Sequence, residues 1–553
     1  MRKALHSSIA ALLLLGLGWL LCSPDASAQR ASKKYFTYEQ VFGSPGRGQA
    51  SEGATGVGGL GQLPNVTGWA DDEHYLESRM DATDRQRQLY AVNVVDGSAK
   101  IYRDDSEIQK RLPQGFDARS AAATTPAQTG FVFNRDGDLY HYDALKQRFR
   151  RLTATSGREN NPRLSPDGKW IAYTRDYNLY AYDLESGIER QYTSDGSDTI
   201  YNGWASWVYM EEILGRGSNS AAYWWSPDSS RLAFMRFDDS PVPVFPIYRA
   251  DGQHGELERQ RYPKAGDPNP FVAMGVVDVA SGKIVWMDFA AKADHYIAWP
   301  FWTPDSKTLT VQWMNRGQDA IRLYNCDPTT GKKRQIFEER QSSWVEWFED
   351  LYYFKNGSGF LLRSNVDGWE HLYYYHNDGT LKKRLTAGNW RVNSIARVDE
   401  AGGYVYFTGR PTKSWDAHLM RVKLDGTGLE QLTKEEGVHR AQVSPGGKYF
   451  VDTVSTISTP SVMALYRSDG TLVRQLGDAK TAAMDQYAWG KVELFTIPSE
   501  DGQFNLPAYW VLPPDFNAAK QYPVIFTIYG GPDAGRVHNN WLGLPAHYWA
   551  QRG

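Results

Sequence analysis

A two-strand phrase recurs along this chain at a shared interval, and that recurrence restricts the fold more than any other feature. The phrase is an aromatic or aliphatic strand, a turn carrying Asp or Gly, and a second strand. It reads QLYAVNVVDGSAKIYR from Gln88, DLYHYD from Asp138, NLYAYDLESGIERQYT from Asn178 and GVVDVASGKIVWMDF from Gly275. It returns as RLYNCDPTTGKKRQI from Arg322, HLYYYHNDGTLKKRLT from His371, HLMRVKLDGTGLEQLT from His418 and ALYRSDGTLVRQL from Ala464. Most of the starts lie about 40 to 50 residues apart, the period of a four-stranded propeller blade. A second element interleaves with the first: LSPDGKWIAY at Leu164, WSPDSSRLAF at Trp225, WTPDSKTLTV at Trp302 and VSPGGKYFV at Val443. Each is a Pro-Asp/Gly turn followed by an alternating strand, the chemistry of a hairpin. Two interleaved motifs on one period, in a chain that is 14% aromatic, predict a mainly β fold with an eight-bladed β-propeller over residues 61–490.

One interval breaks the rhythm. About 97 residues separate the copies at Asn178 and Gly275, so the blade there must carry an insertion. Inside it stands WVYMEEILG, residues 207–215, with Glu211 and Glu212 side by side behind a run of aromatics. Insertions on one end of a repeat fold are where binding groups commonly sit. Taken alone, the pair reads as two solvated acids in the first turn of a short helix, favoured there by the helix dipole.

The ends of the chain differ from its middle. Arg2 and Lys3, the apolar stretch 10–21 and the small residues Ala26-Ser27-Ala28 form the pattern of a secretory signal peptide over residues 1–28. The apolar run is too short to span a bilayer, which takes ~20 residues, so no stable membrane anchor is expected, and the chain is expected to be exported to a periplasm or the exterior. Cys22 follows Leu21, where lipidation calls for a small residue. After cleavage only Cys326 remains, and one cysteine cannot form an internal disulfide. Residues 29–60 read as an N-terminal segment, with the GATGVGGLG stretch from Gly53 as flexible loop. From Lys491 two alternating strands (492–497 and 506–512) precede the apolar run 524–528, which reads as a strand suited to burial on both sides in the sheet of an α/β unit over 491–553; with only the first few strands of that unit present, the run is expected to remain partly exposed. That run leads into Tyr529-Gly530-Gly531-Pro532, a loop at the strand's C-terminal edge, where α/β folds place their chemistry. The net charge is −3 and no long basic run exists, so nucleic acid is not an expected partner.

Four long stretches in order, YNGWASWVYMEEI, AAYWWSPDSSRLAFMRFDDSPVPVFPIY, RYPKAGDPNP and LPPDF…YPVIFTIYGGP, together resemble the dipeptidyl peptidase IV family of serine exopeptidases, within the prolyl oligopeptidase group. The resemblance runs from about Tyr35 to the last residue. It implies an eight-bladed propeller capping an α/β-hydrolase domain, of which this chain holds the first strands. It also implies that Glu211 and Glu212 hold a substrate's free N-terminus and that Tyr529 is the oxyanion-hole tyrosine. Ser206 stands where the family usually has Asp, and Met210 where a further acid is common. The family's carbonyl-gripping arginine has no assigned position in this sequence.

The chemistry of the implied pair is direct. A peptide α-amine titrates near 8 and is mostly protonated at neutral pH, so two carboxylates at a fixed place accept its N–H donors as charge-assisted hydrogen bonds. A substrate held by its amine presents its second peptide bond at a set distance, and dipeptides with Pro or Ala in the second position are released. A serine hydrolase of this kind also needs a G-x-S-x-G elbow followed by Asp and His. No G-x-S-x-G occurs in the sequence, and the chain stops 21 residues after Pro532, before the family's elbow. The triad is therefore expected to be absent, with His538 and His547 ordinary loop or helix residues, and the chain is expected to be a truncated front portion, inactive alone. The alternative is a non-catalytic peptide-binding propeller. Either way the expected partners are peptides with a free N-terminus, with a homodimer open to a full-length family member. No metal-ligand cluster or phosphate-binding glycine loop is evident, so no cofactor is expected.

Overall fold

The computed structural model describes residues 33–43, 57–80, 87–126, 128–215, 220–531 and 535–553; the signal-peptide region lies outside these. Eight antiparallel sheets follow one another, at 65–103, 123–151, 160–191, 200–286, 295–340, 351–384, 391–431 and 438–478. Seven have four strands in simple sequential order, and the fourth has five. The eight repeat phrases map onto the third strand of each sheet in turn and, in every blade but the second, reach into the fourth. The Ser/Thr-Pro-Asp/Gly hairpins map onto the first-to-second-strand turns of blades 3, 4, 5 and 8. The expected eight-bladed propeller is therefore present.

First strands of neighbouring blades are bonded to one another and so line the axis. Trp225 Nε1 of blade 4 donates to the Arg163 carbonyl of blade 3 (3.3 Å), and Trp302 Nε1 of blade 5 donates to the Trp224 carbonyl (3.3 Å). At one end of the ring, here called the bottom, successive Pro-Asp turns are stapled: Asp167 N donates to Ser229 Oγ (3.1 Å) and Asp228 N to Ser306 Oγ (3.0 Å). Within blades a threonine at the end of the phrase latches the third strand. Its hydroxyl accepts from Leu139 N (Thr153, 2.9 Å), Leu179 N (Thr193, 3.0 Å), Leu372 N (Thr386, 3.0 Å) and Leu419 N (Thr433, 3.1 Å). These bonds satisfy backbone donors that the outer strand is too short to reach.

No strand is shared between the first and last blades. The ring closes by packing: Val66, Tyr75, Val92 and Val94 of blade 1 meet Val451, Met463 and Leu465 of blade 8. Trp69 Nε1 donates to the Gln442 carbonyl (3.0 Å), Arg474 Nη2 to the Asn93 carbonyl (3.0 Å), and Asp72 Oδ1 accepts from Ser444 Oγ and Gly446 N (both 2.7 Å). Cys326 is a free, buried thiol in blade 5, pushed up to about 12 by its burial.

The top end carries a small C-terminal unit. Strands Lys491–Pro498 and Asn505–Leu512 form a hairpin, and the helix Leu544–Ala550 follows. Asn539 inserts between blades 7 and 8: its backbone N donates to the Trp415 carbonyl (2.8 Å), Ile457 N donates to its Oδ1 (2.9 Å), and its Nδ2 donates to Asp416 Oδ1 (2.8 Å). The N-terminal helix Tyr38–Phe42, held by a Thr37–Gln40 capping box, packs on this unit. Phe42 lies edge-on to Tyr548 (5.4 Å), Phe36 N donates to Gln551 Oε1 (2.8 Å), and Arg552 Nη2 donates to the Phe36 carbonyl (3.0 Å).

Two expectations are corrected. Residues 524–528 form no strand: they are unpaired, and they are exposed as expected, Phe526 at 85% and Ile528 at 84%. A strand buried on both sides needs sheet neighbours, and the only hairpin beside this run pairs with itself. The glycine-rich stretch is not uniformly loose either. Val57–Gly59 forms one 3-10 turn against Ala482–Gln486, where Gly59, at φ +77°, leaves 2.6 Å between an added Cβ and the Ala483 carbonyl carbon.

Candidate functional site

The long interval resolves into two excursions from blade 4, both at the top. Its first strand is broken: Ile200–Asn202 and Tyr223–Trp225 pair with opposite ends of Arg231–Asp238, and the described residues between them, 203–215 and 220–222, leave the sheet. The base of this loop is laced by Ala222 N to the Gly203 carbonyl (2.9 Å) and Ala205 N to the Ser220 carbonyl (2.7 Å). Because first strands line the axis, the loop rises beside the mouth of the central channel. The second excursion joins the second and third strands and contains the hairpin Val244–Arg249 and Glu256–Arg261.

Glu211 and Glu212 lie at the crest of the first loop, in one turn of π-helix, Tyr209–Ile213, with Leu214 N donating to the Tyr209 carbonyl five residues back (2.6 Å). Such turns are uncommon and concentrate at functional sites. The flanking residues explain how it is held. Tyr209 is fully buried against Phe237 (ring centroids 4.7 Å) and its hydroxyl accepts from Ile297 N (3.3 Å). Ile213 is buried as well, and its carbonyl accepts from Trp299 Nε1 (2.9 Å). With both ends of the turn anchored inward, the two glutamates between them lie on its outer side, Glu211 half-buried and Glu212 exposed.

Trp299 is itself unusual. It sits in the left-handed region (φ 43°) at a bulge in the first strand of blade 5, a conformation that a bulky residue adopts only when its surroundings impose it. The bulge turns the indole toward the acid-bearing loop. Trp207, on the same loop, meets Tyr262 at the root of the second excursion (6.0 Å), and Tyr262 meets Phe245 of its hairpin (6.0 Å).

Beneath the turn, Ser206 Oγ donates to Asp239 Oδ2 (2.9 Å). Both residues are buried, Asp239 completely, and its Oδ1 has no hydrogen-bond partner among the described residues. Burial pushes the Asp239 carboxyl up to about 7; the Ser206 bond and the Arg261 charge oppose this, and Asp238 adds to it. A serine at 206 keeps a second carboxylate from facing Asp239, where two buried acids would resist ionising together. Neither Trp299 nor Asp239 was singled out from the sequence, since a bulge and a burial contact have no local signature.

Tyr529 lies in the exposed extended stretch after the C-terminal hairpin. It is 54% exposed, with the Arg536 guanidinium 4.7 Å from its ring centroid. His538 is in irregular chain, and His547 is buried in the C-terminal helix between Trp489 and Trp541. Among the described residues no three His, Cys, Asp or Glu side chains gather as a metal ion would require.

Comparison with known proteins agrees with this architecture. The family model for the dipeptidyl peptidase IV (DPP IV) N-terminal region matches residues 115–461, which include the glutamate pair but not Tyr529. A dipeptidyl peptidase 4 of Trichophyton rubrum is 31% identical over 402 residues, covering 69% of this chain and 51% of that protein. A probable dipeptidyl-aminopeptidase B of Emericella nidulans is 30% identical over 411 residues, covering 68% and 44%. The chain spans about half the length of the curated relatives it matches. The crystal structure of Porphyromonas gingivalis dipeptidyl peptidase 4 superimposes with a TM-score of 0.74 at 26% identity, covering 89% of this chain and 70% of that one. With the family model matching well over half of its length, the chain belongs to the dipeptidyl peptidase IV family.

Proposed function

We propose that this propeller is the substrate-selecting part of an exported serine dipeptidyl peptidase that releases N-terminal Xaa-Pro and Xaa-Ala dipeptides. Glu211 and Glu212 receive the peptide's α-ammonium group, and Tyr529 donates its hydroxyl to the carbonyl oxygen as negative charge develops there. The observation that carries the reading is the placement of the pair. A broken inner strand lifts a doubly anchored π-turn beside the channel mouth, with both acids on its outer side. Anchoring fixes the backbone that carries the two acids before a ligand arrives, which lowers the cost of ordering the site.

Calorimetry with an Ala-Pro peptide, free and N-acetylated, tests this. The free peptide is expected to bind at least tenfold more tightly, with the difference abolished in Glu211→Gln/Glu212→Gln. Equal affinities for the two peptides in the unaltered chain would sink the proposal. Export is checked by the N-terminal residue of the protein recovered from its source, expected to be Gln29.

A second reading is a peptide-binding propeller without chemistry of its own, which would use the same anchored glutamate turn to hold free-amine peptides. Both readings predict binding of free-amine peptides; release of the chromophore from a Gly-Pro substrate, lost in Glu211→Gln, would exclude the second.

A further inference from the structure

A cluster of positive charge stands at the same end of the ring as the glutamate pair, three to four blades away. Arg410 closes the second strand of blade 7, Tyr404–Arg410, at its top. Its Nη1 donates to the carbonyls of Ser414 and Asp416, and its Nη2 lies 3.4 Å from His538 Nδ1. Arg440 is exposed on the inner strand of blade 8, Val438–Val443, and Arg536 is exposed two residues before His538. Among the described residues none of these three guanidinium groups forms an ion pair with a carboxylate. The nearest acid, Asp416, spends its Oδ1 on Gly437 N (3.1 Å) and Asn539 Nδ2 (2.8 Å). Arg391, the register partner of Arg410, is paired with Glu370.

Like charges have been gathered here, and no carboxylate among the described residues forms an ion pair with them. Burial, and then the charge of Arg391, lower the Arg410 pKa, with Asp416 acting in the opposite sense. Burial also lowers the His538 pKa, followed by Arg410, with Arg440 and Arg536 adding to the effect and the Gly535 backbone opposing it. His538 is thus held neutral with Nδ1 facing Arg410, which makes its Nε2 the N–H-bearing atom. Such a cluster is relieved by an anion, and a guanidinium group recognises a planar carboxylate well.

In an eight-bladed ring, blade 4 faces blades 7 and 8 across the axis. A peptide held by its ammonium at Glu211 and Glu212 and lying over the channel mouth carries its distal carboxylate toward the arginines. We propose that Arg410, Arg440, Arg536 and His538 form a carboxylate subsite for that peptide. It would take either a short peptide's C-terminus or an acidic side chain downstream of the first two residues. The inference rests on the amine-binding reading above and extends it to a preferred substrate class: short or acidic peptides.

The test is calorimetry on the full chain with a ladder of glycine-spaced Ala-Pro peptides. Each is made as free acid, as C-terminal amide, and as amide with one downstream glutamate. At the best-fitting length, amidation is expected to weaken binding about tenfold. Arg440→Gln/Arg536→Gln, both exposed positions, should erase that difference and flatten the salt dependence. Recovery by the glutamate-bearing amide would identify the side chain as a source, and no recovery the C-terminus alone; either result supports the subsite. Equal affinity for acid and amide, in a chain that still rejects the N-acetylated peptide, overturns this inference alone. Loss of discrimination against the N-acetyl form, with the acid preference intact, overturns the amine reading alone.

Discussion

Ser206 Oγ donates a 2.9 Å hydrogen bond to the completely buried carboxyl of Asp239, directly under the turn that carries Glu211 and Glu212. Since burial raises that carboxyl to about 7 from the 3.8 of an exposed aspartate, the native state holds a proton that the unfolded chain has lost across this range. The stability this contributes is complete below about pH 4 and disappears as pH rises through 7. Asp239→Asn, neutral throughout, should match the parent protein near pH 4 and exceed it by up to about 4 kcal/mol above pH 7. Urea unfolding across that interval checks the sign; a gap that shrinks with rising pH would contradict it.

Trp299→Phe keeps an aromatic ring at the bulge but removes the N–H that holds the Ile213 carbonyl. The expected result is a three- to tenfold loss of affinity for free-amine peptides, with global stability lowered by only about 1 kcal/mol. Parallel titration and thermal unfolding separate the two effects. An unchanged affinity would show that the π-turn holds its shape without the indole.

Asn539→Ala strips one hydrogen bond from Ile457 N and one from Asp416 Oδ1, both at buried positions. Ile457 N is left unpaired and Asp416 Oδ1 keeps only Gly437 N, a loss of about 2–3 kcal/mol in total. The loss should be local, seen as faster amide exchange in residues 535–553 while the blade cores stay protected.

His547 is pushed down to about 4 by burial, and neither ring nitrogen has a hydrogen-bond partner among the described residues. Its neutral form contributes stability that is present above about pH 6.5 and is lost as pH falls toward 4, up to about 3 kcal/mol. His547→Phe fills the same space between Trp489 and Trp541 without a titrating group. Near-ultraviolet circular dichroism, which reports those indoles, should show an acid transition in the parent protein and a weaker one in the variant.

Much of the fold was legible because a propeller repeats itself. Each copy of the phrase had to bury the same alternating positions, so Leu139, Leu179, Leu372 and Leu419 occupy equivalent fully buried places in four blades. The glutamate pair was legible from its setting in the one irregular interval. What sequence could not supply were contacts between distant parts: Ser206 with Asp239, Trp299 with Ile213, and Phe36 with Gln551, 515 residues away. The run 524–528 misled for a related reason. Its composition records the sheet it suits, whereas forming a strand depends on partners elsewhere.

The seam between the first and last blades bears on how the protein is made. The bond from Trp69 to Gln442 spans 373 residues, and the seam side of blade 1 cannot meet its neighbour until blade 8 has been synthesised. Before that, a growing chain is an open arc whose leading flank shows Val66, Tyr75 and Val92 to any passing surface. Closure is consequently the slow, non-local step, and the unclosed arc is the species most prone to stick to other copies of itself. A holding chaperone acting on this chain should engage the blade 1 flank and let go when the eighth blade arrives.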